Sequence, residues 1–238
     1  MSHMYKLFLH VCSGLFVGVL LLALPIGVMA AENSQKLFVP SDSPYGKRFV
    51  DWAIEWWKWN SSMNSTIHPK TDHPQTDPEK CANQNQSANV WFLPNFDKDK
   101  TDYTFTCTVP QGKAIIVGNL NQGESDENVT RGDEAIRNAA MEGQIGADLK
   151  VSLDGVDQNY SMKDMRVTSD FFNLTIVKNN IYENTTAGTF KAMIDGYYIF
   201  LKPLSQGTHN LHFESKVENN PKPSLNFAQD GNWIFNVK

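Results

Sequence analysis

The sequence is poor in cysteine, has more acidic than basic side chains, and contains none of the common catalytic motifs. There is no G-x-S-x-G, no H-E-x-x-H and no phosphate-binding glycine loop, so the enzyme classes that those motifs define are not indicated. The 21 basic and 26 acidic side chains give a net charge of −5. Because a nucleic-acid partner requires a basic surface for its phosphates, we expect no nucleic acid to bind. No motif indicates a cofactor, and we predict none.

The amino terminus is an apolar segment without charge. Residues 7–30 contain no Asp, Glu, Lys or Arg, and Lys6 precedes them. Pro25 breaks the apolar run before Val28 and Ala30, which fit the small-residue pattern of a signal-peptidase site. The pattern therefore predicts export.

We predict that residues 1–30 are a signal peptide, which gives the protein a secreted or cell-surface location. An uncleaved membrane anchor is the alternative, because about 20 apolar residues can span a bilayer. In that case only this segment would contact the membrane. The remaining residues, 31–238, have a length suited to a single domain.

Three cysteines are present, and Cys12 lies in the amino-terminal segment. Cys81 and Cys107 remain after cleavage, and two cysteines in an exported chain are expected to form a disulfide. Two separate buried thiols are the alternative. A disulfide would leave no cysteine for nucleophilic catalysis.

The sequence is rich in the glycosylation acceptor pattern Asn-X-Ser/Thr. A glycosylated surface and an asparagine-rich composition both explain this richness, and both interpretations stay open. The candidate acceptors are Asn60, Asn64, Asn85, Asn128, Asn159, Asn173 and Asn184.

Residues 44–60 are predicted to form an amphipathic helix. Ser43 can cap the first free amides, and Pro44 suits the first helical position because its missing N–H would have no partner there. Apolar side chains cover about 220° of the helix surface, roughly twice what contact with one sheet requires. The apolar stripe consists of Tyr45, Phe49, Trp52, Trp56 and Trp59, and Val50, Ala53, Ile54 and Trp57 extend it.

Such a wide apolar surface has to be covered from two sides. The options are burial within the protein, a partner or carbohydrate surface, and a membrane, although a membrane-surface helix would have a broader basic face. If burial is two-sided, Trp57→Ala should lower the free energy of unfolding by about 3 to 5 kcal/mol, whereas a loss under about 1 kcal/mol would place this ring in solvent or against an absent partner. The tryptophans that could stack on a ligand are Trp52, Trp56, Trp57, Trp59 and Trp91.

The rest of the chain is predicted to be mainly strands. Residues 61–88 contain three prolines and no hydrophobic periodicity, which is typical of a long loop. Alternation of apolar and polar residues over 103–109 predicts a half-buried strand, and the continuous apolar run in 113–120 predicts a strand buried on both faces. A short helix is predicted from Gly132 to about Ile145.

The fold class is predicted to be mainly β, an antiparallel, jelly-roll-like β-sandwich with the Trp-rich helix and one further short helix. Short strands at spacings of about 8 to 15 residues, without alternating helices, favour this over a parallel sheet. The pair Asp154-Gly155 predicts a tight hairpin turn, because both positions tolerate positive φ.

Four segments occur in a characteristic order: "WAIEWWKW", a cysteine before "NVWFL", "CTVPQGKAIIVGNLN" and "DGYYIFLKPLSQGTHNLHF". In this order the sequence resembles an uncharacterised family of secreted bacterial and archaeal proteins. The resemblance covers the chain from about residue 45 to the carboxyl end. It implies export and architecture, and it implies no catalytic residue.

Metal-binding candidates are weak. His209 and His212 fall on opposite faces of a predicted strand and cannot hold one ion together. His68 and His73 lie in the long loop, where their spacing permits chelation without indicating it. We predict no metal site.

Two groups of acidic residues also fall short of a calcium site. The first has the alternating carboxylates of a calcium loop but lacks the glycine and the terminal glutamate of an EF-hand. In the second, the acids near residues 132 to 134 stabilise the start of the second helix through its dipole, which is a sufficient structural reason for them. The first group is Asp97, Asp99 and Asp102, and the second is Glu124, Asp126, Glu127, Asp133 and Glu134.

The sequence therefore favours a binding or structural module at the cell surface, with a glycan or a protein as partner. A secreted hydrolase acting on glycans or cell-envelope polymer is the alternative. A glycosidase needs only two facing carboxylates, and Trp52 and Trp56 near Glu55 would suit a sugar cleft.

Overall fold

Two mixed β-sheets form most of the molecule. The computed structural model describes residues 35–70, 77–79, 81, 86–95, 102–127, 132–182 and 185–238. The described part contains three helices, α1 (Phe49–Ser61), α2 (Asp133–Glu142) and α3 (Met162–Met165). Its strands are β1 (Val90–Leu93), β2 (Tyr103–Val109), β3 (Ala114–Ser125), β4 (Ala147–Leu153), β5 (Val156–Asp157), β6 (Arg166–Thr168), β7 (Phe172–Ile176), β8 (Gly188–Leu201), β9 (Gly207–Val217) and β10 (Phe227–Val237).

The first sheet has the order β1-β3-β8-β6, with β7 also paired to β8, and the second has the order β2-β10-β9-β4-β5. The prediction of a mainly β fold is confirmed. The sheets are not purely antiparallel, however, because β1 pairs with β3, and β2 with β10, in parallel. These two pairs depart from a jelly roll, whose sheets are antiparallel.

The second sheet is apolar on one face and polar on the other. In β2, Phe105, Cys107 and Val109 are buried while Thr104 is exposed, so the strand predicted from the alternating pattern is confirmed. The buried faces of both sheets belong to one hydrophobic cluster. The two sheets therefore pack against each other as a sandwich.

The first sheet is covered on both faces. Residues 114–120 of β3 are all buried, as the continuous apolar run predicts. Tyr198 and Phe200 of β8 contact aromatic rings of α1, so the alternate residues Ile199 and Leu201 face the second sheet. The helix therefore lies on the outer face of the first sheet, not between the two sheets.

The Trp-rich helix begins at Phe49 instead of Pro44. Pro44–Gly46 form a separate 3-10 turn, because Tyr45 (φ 56°) and Gly46 (φ 76°) have left-handed backbones and Lys47 is extended. Ser43 caps nothing with its side chain. The turn brings the Pro44 carbonyl to Trp52, whose indole N–H donates to it at 2.8 Å, and this tertiary contact overrides the local helix signal.

The wide apolar surface of α1 is covered by irregular chain segments beside the first sheet. On one flank, Tyr45 of the preceding 3-10 turn packs edge-on against Trp52 of α1, and Phe38 packs edge-on against Tyr45. On the other flank, Trp59 contacts the His68 ring. Two-sided coverage is therefore present, but loops supply the second side.

Gly118 on β3 lies directly under the Trp56 indole. A Cβ at this position would lie 2.4 Å from Cζ2 of Trp56, and both residues are buried. We expect Gly118→Ala to lower the free energy of unfolding by about 1 to 3 kcal/mol through overpacking. Urea unfolding, monitored through tryptophan fluorescence, measures this change in the free energy of unfolding. The control is Gly188→Ala, whose Cβ would meet only the movable ring of Phe190; equal midpoints for the two variants would contradict the prediction.

Several local predictions are confirmed. Helix α2 lies within the predicted range, and β4 and β5 form a hairpin through Asp154 (φ 53°) and Gly155 (φ 76°). Cys81 and Cys107 form a disulfide with 5.4 Å between their Cα atoms. Helix α3 is not predicted from the sequence, because it is only a single turn. No helix in the described ranges is both long and apolar enough to cross a membrane.

Candidate functional site

A small pocket opens beside α1, where the helix meets β3, β7 and the segment that follows β7. Its volume is about 120 Å³. We call it the Trp57 pocket. Its lining residues are Trp57, Gly123, Glu124, Ser125, Leu174, Ile176, Tyr182 and Thr185.

The Trp57 indole is fixed in orientation. Its N–H donates to the hydroxyl of Tyr198 at 2.8 Å, and burial raises the pKa of that hydroxyl well above its ordinary value. The Tyr182 ring stacks on Trp57 with 6.0 Å between centroids and 14° between planes. Gly123 lies under the indole, where a Cβ would come within 2.8 Å of it. The aromatic wall of the pocket is therefore preorganised.

A buried hydrogen-bond chain holds Tyr182. The Lys70 amide donates to Nδ1 of His68 at 3.1 Å, so Nε2 carries the proton and donates to Oδ1 of Asn60 at 3.0 Å. The Asn60 amide then donates to the Tyr182 hydroxyl. Burial lowers the pKa of His68 to about 4, so the ring is neutral at neutral pH. The loop after α1 thus positions one wall of the pocket.

Two polar side chains that line the pocket, Thr185 and Glu124, are hydrogen-bonded to protein groups outside it. The Thr185 hydroxyl donates to Oδ1 of Asn180 at 3.0 Å. Oε1 of Glu124 accepts from the Gln122 amide at 2.7 Å. Leu174 and Ile176 supply apolar walls. The pocket therefore offers a mainly apolar surface to a ligand.

The predicted acidic cluster near residues 124–134 helps to hold β3 and β8 together. Asp126 Oδ1 accepts from the Lys191 amide at 3.0 Å, and Asp133 pairs with the Lys191 ammonium. Glu127 Oε1 accepts from the Thr186 amide, while its Oε2 is buried with no hydrogen-bond partner within the described residues. Glu134 is exposed at the start of α2.

The five candidate tryptophans differ in exposure. Trp52, Trp56 and Trp59 are at most 4% exposed, so no surface ligand can stack on them. Trp57 and Trp91 are half-buried, and only Trp57 lines the pocket. Because Trp57 is half-buried, the expected loss on Trp57→Ala lies between the two limits set from the sequence.

His209 and His212 have separate acidic partners on the second sheet and its hairpin. His209 pairs with Asp154 at 2.7 Å and His212 with Asp230 at 3.0 Å. His68 is bonded to Asn60, and His73 lies outside the described residues.

The weak calcium candidates are only partly described. Asp102 is an exposed turn residue (φ 59°), and Asp97 and Asp99 lie outside the described residues. Across the described ranges, no group of three metal-ligating side chains is brought together.

One predicted glycosylation acceptor is wrong for the folded protein. Asn60 is 1% exposed and its amide is bonded on both sides, so a sugar cannot be accommodated there. Asn159 and Asn173 are exposed, and Asn64 is half-buried. The remaining candidates, Asn85, Asn128 and Asn184, lie outside the described residues.

Sequence reasoning misses most of the pocket. Tyr182 and Thr185 belong to "IYENTT", and Leu174 and Ile176 to a strand, and neither segment carries a recognisable binding motif. Only tertiary contact with Trp57 gives them a shared role. Gly123 offers the one local signal, since a glycine inside a strand often marks a close approach.

Comparisons with known proteins add little to this description. No protein-family model matches the sequence, and no curated protein matches it. Among solved structures, it is similar to PbICP-C, solved in complex with falcipain-2, with 10% identity, a TM-score of 0.25, and coverage of 63% of this chain and 100% of that chain.

Two further solved structures are similar at the same level. Amebosin has 11% identity and the cysteine protease inhibitor EhICP2 from Entamoeba histolytica has 10%; for both, the TM-score is 0.24 and coverage is 64% of this chain and 100% of that chain. These identities and TM-scores are too low to assign an activity or a partner to this protein.

Proposed function

We propose that this protein is an exported binding module and that the Trp57 pocket is its ligand site. The observation that carries the proposal is the preorganised aromatic wall formed by Trp57 and Tyr182 beside an open, mainly apolar cavity. Small-molecule and side-chain sites are typically concave, apolar and preformed in this way. The uncharged segment over residues 7–30 supports the export part of the proposal.

A hydrolase acting on glycans is less well supported at this pocket. A glycosidase requires two carboxyl groups flanking the scissile bond. Within the described residues, Glu124 is the single acid that lines the pocket, and it already accepts a hydrogen bond from Gln122. Binding without turnover therefore fits the pocket better.

The ligand site is tested by NMR titration of the protein with two panels, methyl glycosides and capped amino acids. We expect at least one panel to shift the indole N–H signal of Trp57 while the signal of Trp91 stays unchanged. Oligosaccharides incubated with the protein should be recovered intact by mass spectrometry. Released products would favour the hydrolase, and unshifted Trp57 signals with every probe would overturn the ligand site.

Export is tested separately by expressing the full sequence in a secreting bacterial host. We expect the exported protein to begin at Ala31, as measured by intact mass, because cleavage follows Ala30. Retention of the complete chain in the membrane fraction would instead support the uncleaved anchor.

A further inference from the structure

A second cavity lies between the extended segment 35–41 and the turn that joins β5 to α3. Its volume is about 480 Å³, against about 120 Å³ for the Trp57 pocket, and the two share no lining residue. Small-molecule sites typically measure about 300 to 1,000 Å³, so this cavity is large enough for a whole small ligand. We call it the Tyr160 cavity. Its polar lining residues are Gln35, Ser41, Asn159, Tyr160, Ser161 and Asp164.

The walls of the Tyr160 cavity are held in place by hydrogen bonds. The buried side chain of Gln158 accepts from the Lys36 amide at 3.0 Å and donates to the Val156 carbonyl at 3.1 Å, which ties the two walls together. The Tyr160 hydroxyl donates to the Leu149 carbonyl at 2.9 Å, and burial raises the pKa of that hydroxyl above its ordinary value. The half-buried Tyr160 ring is therefore fixed by its tip, and the cavity is preformed.

The polar side chains of the Tyr160 cavity are available to a ligand. Ser41, Asn159, Ser161 and Asp164 are exposed and line it together. In the ranges that the structure describes, no hydrogen bond or ion pair engages any of these four side chains. Hydroxyl and amide groups both donate and accept, and a carboxylate accepts several hydrogen bonds. The cavity therefore offers a ligand both donors and acceptors, which the Trp57 pocket does not.

A neutral sugar matches this combination of surfaces. Its hydroxyl groups donate and accept in the same way, and its C–H face can pack on an aromatic ring such as Tyr160, which has an apolar body. Val39 and Met165 add apolar lining. Among the described residues, Asp164 is the one acid that lines the cavity. Its carboxylate would form charge-assisted bonds with sugar hydroxyls and would repel an acidic sugar.

We infer that the Tyr160 cavity binds a neutral saccharide, with one pyranose ring packed on Tyr160 and its hydroxyl groups bonded to Asn159 and Asp164. The inference goes beyond the proposed function, because it adds a second ligand site that is separate from the Trp57 pocket. The side chains are exposed, so each bond to the sugar replaces a bond to water and the net gain is small. We expect a dissociation constant in the millimolar range for a single sugar.

The probes are the methyl glycosides of glucose, galactose and mannose, titrated into the protein and followed by NMR. The protein is made in a host that attaches no N-linked sugar, because Asn159 begins an acceptor pattern and an attached sugar would occupy the cavity. We expect at least one glycoside to shift the backbone amide signal of Tyr160. Methyl glucuronoside, which carries a carboxylate, and capped amino acids should leave that signal unchanged.

Two pairs of variants test the location of the site. Asp164→Asn keeps the shape of the side chain and should weaken binding about 10-fold, whereas Asp170→Asn, an exposed acid outside the cavity, should leave it unchanged. Ser41→Phe fills the cavity and should abolish binding, whereas Ser43→Phe, which is exposed outside it, should not. Circular dichroism and thermal melting establish that all four variants fold.

The inference is overturned if no glycoside shifts the Tyr160 signal, or if the glucuronoside or a capped amino acid binds there as tightly as the neutral sugars. Unchanged affinity in Asp164→Asn, or equal effects within either pair of variants, would also overturn it. The Trp57 indole signal in the same spectra separates the two sites. Shifts at Trp57 alone would overturn this inference and leave the proposed function standing, whereas shifts at Tyr160 alone would support it and count against the Trp57 pocket.

Discussion

Trp56→Ala is expected to lower the free energy of unfolding by about 3 to 5 kcal/mol, among the largest effects of any single substitution in this protein. The indole is 1% exposed and lies between Gly118 of β3 and the edge of the Tyr198 ring. Its N–H donates to the carbonyl of Leu93 at 2.7 Å. Truncation therefore leaves a cavity in the main core and also a buried carbonyl without its donor.

Urea unfolding at neutral pH measures the change, and two variants separate its causes. Trp56→Phe removes the indole N–H but fills much of the cavity, so we expect it to lose about 1 to 3 kcal/mol. Lys58→Ala, on the exposed side of the same helix, should change stability by less than about 0.5 kcal/mol. A loss under about 1 kcal/mol for Trp56→Ala would mean that this ring is not part of the core.

The sequence predicts the strands well because their signals are local. The period-two alternation in β2 and the continuous apolar run in β3 depend only on which faces are buried, and both are found as predicted. The Asp154-Gly155 hairpin follows from backbone conformations available to those two residues. The parallel pairing of β2 with β10 could not be predicted, because it joins strands more than one hundred residues apart.

The start of α1 shows how a tertiary contact overrides a local signal. Ser43 and Pro44 match the pattern of a helix start, yet the chain turns there so that Pro44 accepts from Trp52. Asn60 is a second example, because its sequence context indicates an exposed acceptor whereas its amide joins His68 to Tyr182 inside the protein. Both partners that decide the role of Asn60 lie beyond the helix in sequence.

The candidate site can likewise be predicted only in part from the sequence. The cluster of tryptophans makes Trp57 one of the candidates, since aromatic residues dominate binding surfaces. It does not distinguish Trp57 from Trp52, Trp56 and Trp59, because a helix that is apolar over about 220° of its circumference has no unique exposed apolar position. That distinction comes from Gly123 and Tyr182, which the fold places around one ring.

The second large effect is a loss of stability in mild acid that depends on His68. Burial, followed in importance by the nearby Lys70 charge, lowers the pKa of His68 from 6.5 to about 4. Between these values the unfolded chain binds a proton that the folded protein does not bind, so the free energy of unfolding falls as the pH falls. The contribution of neutral His68 to the free energy of unfolding is therefore fully present above pH 6.5. We expect it to be smaller by about 2 kcal/mol at pH 5 and by about 3 kcal/mol at pH 4.

Protonation of the His68 ring in the folded protein is also disfavoured by its hydrogen bonds. Nδ1 of His68 accepts from the Lys70 amide, and a proton on Nδ1 would set two donors against each other. Urea unfolding of the wild type and of His68→Gln at pH 7, 6 and 5 tests this, because glutamine does not titrate and surface carboxylates contribute equally to both proteins. The difference in stability between wild type and His68→Gln should shrink by about 2 kcal/mol from pH 7 to pH 5. A difference that stays constant over this range would show that His68 titrates at its ordinary pKa, and that the chain of hydrogen bonds from Lys70 to Tyr182 does not hold the ring neutral.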